Sequence, residues 1–229
     1  MGTDIHMVAE VRRDGRWEMV KDCLWDGYGG RKTFRPYTGR NYDLFAMLAD
    51  VRNGYGFAGS VTGDGFVPVV HPRRGIPDDA DPETVEPWTD ESGTVYEDTF
   101  EYLGDHSFNW LTVRELDAYD WDQTTHKVGV FSESEYVNAL RTGKPKSWSS
   151  GAWGQTIVTL TPEQYEEMLK GGPFEKEGTL QRDPSKRYFI QHRWPITYRD
   201  HAEDFLKSLD ILRGLGDPDD VRIVFGFDS

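Results

Sequence analysis

From Thr3 to Arg12 the side chains alternate in character. Ile5, Met7, Ala9 and Val11 share one parity, and Asp4, His6, Val8 and Glu10 share the other. A period of two predicts a β-strand with one apolar face, and Asp14-Gly15 supplies a hairpin turn into Trp17 to Val20. From Asp43 to Asn53 the period changes: Leu44, Phe45, Met47, Leu48 and Val51 mark one face of a helix, with Asn41 or Asp43 as its cap and Gly54 beyond its end. Phe66 to Val70 reads as a short strand. Four more helix starts carry a hydroxyl cap: Thr112 with Glu115, Ser132 with Glu135, Thr161 with Pro162 and Gln164, and Thr197 with Asp200.

Strands are expected at Gln155 to Leu160 and Tyr188 to Trp194, each just before one of these helices. The last helix should run from about Tyr198 to Leu215 and close at Gly214 or Gly216. Val221 to Asp228 has strong strand propensity and belongs inside a sheet, beside the first strand, because an unpaired terminal edge is exposed to association. The pattern predicts an α+β fold: a mainly antiparallel or mixed sheet with helices packed on it and long irregular loops. One domain over residues 1–229 is expected, with an acidic loop insertion at about 77–105.

Composition narrows the function classes. The 229 residues carry a formal net charge of −14, which opposes direct binding of nucleic acid, since binding to phosphates draws on clustered Lys and Arg. From Pro77 to Asp105 there are eleven acidic residues and no Lys or Arg. The single cysteine, Cys23, excludes an intrachain disulfide framework and fits a reducing cytoplasm. No apolar run suits a membrane span or a signal peptide, so a soluble cytoplasmic protein without membrane contact is expected.

Candidate chemistry begins with Asp4 and His6, which share one face of the first strand. That spacing can present two metal ligands, or a general base with its orienting carboxylate, to a cavity; it equally suits a solvent-exposed face. His106, on a turn before the Thr112 cap, is the second candidate base. Asp4, His6 and His106, with Asp228, make a mixed set that a divalent metal would accept, although no metal-binding spacing motif is present. For a small anionic ligand the candidates are Arg40, Asn41 and Asp43 at the start of the predicted helix, Arg52 at its end, and Arg73 and Arg74 before the acidic stretch. Helix capping explains Asn41 and Asp43 as well, and ion pairing with nearby acids explains the two loop arginines. Two aromatic, glycine-rich segments, Trp25 to Arg31 and Trp148 to Trp153, are candidates for stacking a planar ligand or covering an apolar edge. No Gly-x-Gly-x-x-Gly loop, Walker loop or Gly-x-Ser-x-Gly elbow occurs.

Taken together, Gly2-Thr3-Asp4-Ile5-His6, Gly39-Arg40-Asn41-Tyr42-Asp43-Leu44-Phe45, Asp105-His106-Ser107 before Trp110, and Val221-Arg222-Ile223-Val224-Phe225 ending in Phe227-Asp228 resemble a family of uncharacterised proteins encoded by bacteriophages and some actinobacteria. The resemblance spans nearly the whole chain and implies a phage accessory setting, with no activity to carry over. The chain departs from that pattern at Gly226, where the resemblance implies a bulky aromatic, and in the acidic stretch after His71.

Two functions from different classes follow. One is a protein whose polar pocket binds, and as an enzyme would hydrolyse, a small anionic or nucleotide-like molecule, with His6 or His106 as base. The other is an acidic interaction protein that mimics nucleic acid and blocks a basic surface on a host protein. A structural component of a virion is a third class that the tryptophan content permits.

Overall fold

The computed structural model describes residues 2–25, 31–171 and 181–228. In chain order the elements are β1 (Asp4–Arg13), β2 (Arg16–Met19), β3 (Lys21–Trp25), β4 (Arg31–Thr33), α1 (Tyr42–Ala49), β5 (Pro87–Thr89), β6 (Val95–Phe100) and β7 (His106–Thr112). They continue with α2 (Val113–Ala118), β8 (Thr124–Ser132), α3 (Glu133–Thr142), β9 (Ile157–Leu160), α4 (Pro162–Lys170), β10 (Arg187–Thr197), α5 (Tyr198–Arg213) and β11 (Val221–Asp228). This is an α+β fold with antiparallel and mixed sheets. Where the sequence suggests one domain, contacts group the chain into two compact units. One comprises Met1–Asn53, Phe66–Gln123 and Thr197–Ser229; the other comprises Gly54–Gly65 and Thr124–Ile196.

In the first unit the two ends of the chain meet. β1 and β11 run antiparallel with Asp4 opposite Asp228 and Val11 opposite Val221, inside a sheet ordered β2-β1-β11-β7. Asp14 and Gly15 take positive φ in the turn between β1 and β2, as a tight hairpin requires. Alternation then sorts the sheet into two faces. Ile5, Met7 and Ala9 share the first with Phe227, Phe225 and Ile223, all buried, and Phe227 meets Phe45 of α1 at 5.1 Å. Asn109 of β7 on this side donates to the Leu48 carbonyl at 3.0 Å, fixing α1 to the sheet.

The second face is also covered, and this is the main departure from the sequence expectation. The acidic stretch is not a free loop. Ile76, Val85, Phe100 and Tyr102 pack against a buried cluster of Val8, Met19, Leu103 and Val224. The apolar residues interspersed among the acids are partly buried there and close this face of the sheet. At Gly226 the covering chain comes so close that a Cβ would lie 2.3 Å from the Leu103 carbonyl oxygen. The bulky aromatic implied by the resemblance has no room there.

Local signals mostly translate into structure. Thr112 with Glu115, Ser132 with Glu135 and Thr161 with Gln164 form complete capping boxes, and Thr197 caps α5 by accepting from the Asp200 N–H. α1 stops at Ala49, four residues before the predicted end, because Asp50 turns left-handed and the Asn53 side chain ties Asp50 to the Phe66 carbonyl. Phe66 to Val70 is not a strand. Its backbone N–H groups are taken by Asn53, by the Tyr198 hydroxyl and by the Met47 carbonyl, so no ladder is needed.

In the second unit the order is β8-β10-β9, with β9 and β10 parallel and α4 crossing between them in sequence. Phe131 and Trp194 meet edge to face at 5.2 Å in its core, and Tyr136 packs on Tyr165. No helix among the described residues is long and apolar enough to cross a membrane.

Candidate functional site

The first strand does bring Asp4 and His6 to one face, at its open end beyond Gly226. Both are half-buried. The Asp4 carboxylate accepts a forked pair of bonds from Arg40, one of 2.7 Å from Nε, and this hydrogen bond holds its pKa below the ordinary carboxylate value. His6 Nε2 lies 3.0 Å from Asp228 Oδ2, whose other oxygen accepts from the Asp4 N–H at 3.3 Å. His106 comes to the same end of β11 from β7, opposite Phe227, with its ring stacked on the Phe227 ring at 6.0 Å and Nδ1 2.9 Å from Ser107 Oγ. Pairing of β1 with β11 thus assembles Asp4, His6, Asp228 and Arg40, whereas His106 stacks on Phe227, whose ring belongs to the opposite, α1-covered face of the sheet.

That group is closed on itself. Among the described residues no set of three or more His, Cys, Asp or Glu is arranged to hold a metal ion. The arginines proposed for an anion are likewise engaged. Arg52 donates to Thr3 Oγ1 at 3.0 Å and lies 4.8 Å over the Tyr42 ring; Arg73 donates to the Ala49 carbonyl at 2.7 Å. Arg74 makes a forked pair with Glu115, at 3.0 and 2.5 Å, and covers Trp110 at 4.4 Å, sharing no partner with Arg40. Asn41 is the cap of α1, accepting from Asp43 N and Leu44 N, and Asp43 pairs with His201 Nδ1 at 2.7 Å. The first turn of α1 thus gives three of its N–H groups, those of Asp43, Leu44 and Phe45, to Asn41.

Two clefts of the first unit carry the wrong sign for an anion. One of about 210 Å³ lies between Tyr37, Asn41 and the first two turns of α5, where Asp200, Glu203 and Asp204 supply three carboxylates. The other, about 510 Å³, sets Asp117, Asp120, Asp122, Glu203 and Asp210 against Arg199, Lys207 and Arg213. Those three cations are bound to Asp122, to Glu203 and Asp204, and to Asp117 and Asp210. In the second unit Trp148 stacks edge-on to Trp194 and under Lys127, while Trp153 is 68% exposed. Of the Trp25 to Arg31 segment, residues 26–30 lie outside the described residues, and its two ends, Trp25 and Arg31, pair across β3 and β4.

The acidic stretch divides into a base and a tip. At the base Glu10 is fully buried and accepts from Arg222 Nε at 2.7 Å, from Thr84 Oγ1 at 2.7 Å and from the Asp81 N–H at 2.9 Å. Asp81 accepts from the Met19 N–H at 2.8 Å, Asp79 accepts from Arg222 Nη1 and Trp17 Nε1 at 2.8 and 3.0 Å, and Glu83 pairs with Lys21 at 2.5 Å. Burial raises the Asp79 pKa, but the Arg222 hydrogen bond and charge outweigh it and hold the carboxyl below its ordinary value. Arg222 lies 3.9 Å over the Trp17 ring. Its Nη2 is buried without a hydrogen-bond partner, and the indole face takes part of that charge.

The tip is built differently. β5 and β6 form a two-stranded hairpin closed by Asp90, whose side chain accepts from Ser92 N, Ser92 Oγ and Thr94 N at 2.7–2.9 Å. Trp88 and Tyr96 face each other across it, centroids 4.9 Å apart, and remain 38% and 43% exposed. Around them Glu86, Glu91, Glu97, Asp98 and Glu101 are exposed, and among the described residues none of the five meets a cation.

Comparison of the chain with protein-family models, with curated proteins and with solved structures finds no match. The functional reading therefore rests on this geometry. Trp88, Tyr96 and His201 are not among the candidates that the sequence pattern marks. A signal for the first two was present: an Asp-Glu-Ser-Gly turn between short runs containing Trp88 and Val95-Tyr96. His201 sits within a helix among acids and has no such signal.

Proposed function

We propose that the protein is an acidic interaction module whose β5–β6 tip docks on a basic surface of a partner protein. The observation that carries this reading is that exposed aromatics share one hairpin with carboxylates that meet no cation among the described residues. A hydrophobic centre of Trp and Tyr rimmed by charge is the composition of a binding hot spot, and the rim acids give fast, salt-sensitive association. The ligand-pocket reading is the less favoured one, because its guanidinium groups already have internal acceptors and the two clefts beside α5 are lined by more acids than cations. A host protein with a nucleic-acid-binding surface is the partner class that fits, in the cytoplasm of the host if the chain is phage-encoded.

The test compares the protein with a tip variant, Trp88→Ala combined with Glu91→Gln, Glu97→Gln and Asp98→Asn, as baits in a host lysate at low and high salt. A basic host protein held by the parent, released by salt and lost by the variant supports the reading. Identical sets of proteins on both baits would overturn it.

A further inference from the structure

The hairpin offers a backbone edge as well as side chains. In β5–β6 the register is Thr89 opposite Val95 and Trp88 opposite Tyr96, and then it skips: Pro87 is opposite Phe100. Asp90 N donates to the Thr94 carbonyl at 3.0 Å, so antiparallel alternation makes Thr89–Val95 a non-hydrogen-bonded pair and turns the Val95 N–H and C=O away from β5. Pro87 has no N–H to give the ladder, and Glu97, Asp98 and Thr99 consequently have no partner on β5. β6 is the outer strand of its sheet, and its residues Val95 to Asp98 are exposed. Among the described residues Val95 to Thr99 have no strand on their outer side, whereas Phe100 exchanges backbone hydrogen bonds with Gly104 at 2.8 and 3.1 Å.

Resting on the proposed docking role of this tip, we infer that β6 receives an extended, Arg- and Lys-rich segment of the partner as an added strand. Backbone pairing along Val95 to Thr99 supplies the affinity and side chains supply the selection. Glu97 and Asp98 lie on the edge itself, where an incoming strand with cations opposite them is attracted and an acidic one is repelled. A second copy of this chain would bring Glu97 and Asp98 against the same acids, so the edge is guarded against self-pairing while open to a basic strand. The exposed Trp88 face suits an arginine, a contact this chain already makes internally between Arg222 and Trp17 at 3.9 Å.

The experiment uses the full chain and three synthetic eight-residue peptides. One alternates Arg with Val, a second has the same sequence with backbone N-methylation at every other residue on the pairing edge, and a third replaces Arg by Glu. Binding is read from Trp fluorescence and from amide exchange at Val95 and Glu97. The inference expects the first peptide to bind at least tenfold more tightly than the methylated one, as loss of two or more backbone hydrogen bonds requires, and to slow exchange at both amides. Equal binding of the first two peptides overturns strand addition and leaves charge docking at the tip intact. Equal binding of the first and third, or no binding of the first, overturns strand addition; indifference to Arg versus Glu also removes the support for a basic partner. Formation of dimers of the chain through β6, detected by sedimentation and abolished by the peptide, would overturn the guarded-edge argument.

Discussion

The base and the tip of the acidic stretch use the same residue types to opposite ends. At the base, Asp79, Asp81 and Glu83 are spent on Arg222, Trp17, the Met19 N–H and Lys21, and with Glu10 they fasten the segment to the open face of the sheet. At the tip, Glu91, Glu97 and Asp98 touch no cation among the described residues, and two aromatic rings stay half in water. Net charge alone cannot distinguish a carboxylate that holds a fold together from one that is free to meet a partner. The partner of each acid decides it, and that is a property of the fold.

The comparison breaks most severely at Arg222. Glu10 is buried with no exposed surface, so Arg222→Ala leaves a carboxylate in the core with its main counter-charge gone. A loss of about 3–5 kcal/mol in denaturant unfolding is expected. The double variant Glu10→Leu with Arg222→Met, which removes both charges, should recover most of that loss. Equal losses in the single and double variants would mean that packing, rather than charge pairing, is what holds the base.

A smaller break comes at Gly226. The added methyl of Gly226→Ala would meet the Leu103 carbonyl at 2.3 Å and the Phe108 ring at 2.5 Å. A backbone oxygen cannot swing away as a flexible side chain can, so a cost of about 1–3 kcal/mol is expected in the same unfolding measurement. An unchanged midpoint would show that the covering segment does not lie against β11.

Much of this was legible in the sequence, and the reasons differ by element. The capping boxes at Thr112, Ser132 and Thr161 are local, complete within four residues, and set by hydrogen bonds that do not depend on the rest of the fold. β1 and β11 were legible because alternation and propensity mark a strand wherever it sits. The cover was not. Ile76, Val85, Phe100 and Tyr102 are spread among acids without a period, and only the sheet beneath them reveals that they share a face. The candidate site failed to declare itself for a related reason: Arg40 and Arg74 look alike as free cations in sequence, yet one faces Asp4 and the other Glu115.

Acid should weaken the contacts of two depressed carboxyls, Asp79 at the base and Glu115 at the start of α2. Burial raises the Glu115 pKa but the Arg74 hydrogen bond outweighs it, and the same balance with Arg222 depresses Asp79. A carboxyl whose folded pKa lies below its unfolded value contributes stability that is complete above the unfolded value and lost as pH falls through the folded one. Stability should therefore be flat with respect to these two groups at neutral pH and decline from about pH 4.5 downward. Combining Arg74→Met with Arg222→Met should flatten that acid limb. A limb of unchanged slope would place the acid sensitivity elsewhere.

The smallest expected effect on stability is at the tip, and it is the sharpest test of the contrast. Glu91→Gln, Glu97→Gln and Asp98→Asn remove three charges from groups that bond to no cation, so the unfolding free energy should change by no more than about 0.5 kcal/mol. Relief of self-repulsion in a chain of charge −14 gives the change a stabilising sign, and added salt should erase it. The same triple variant should lose the salt-sensitive partner binding proposed for the hairpin. A destabilisation of several kcal/mol would place these acids with those of the base, as structural groups, and the division between the two halves of the stretch would disappear.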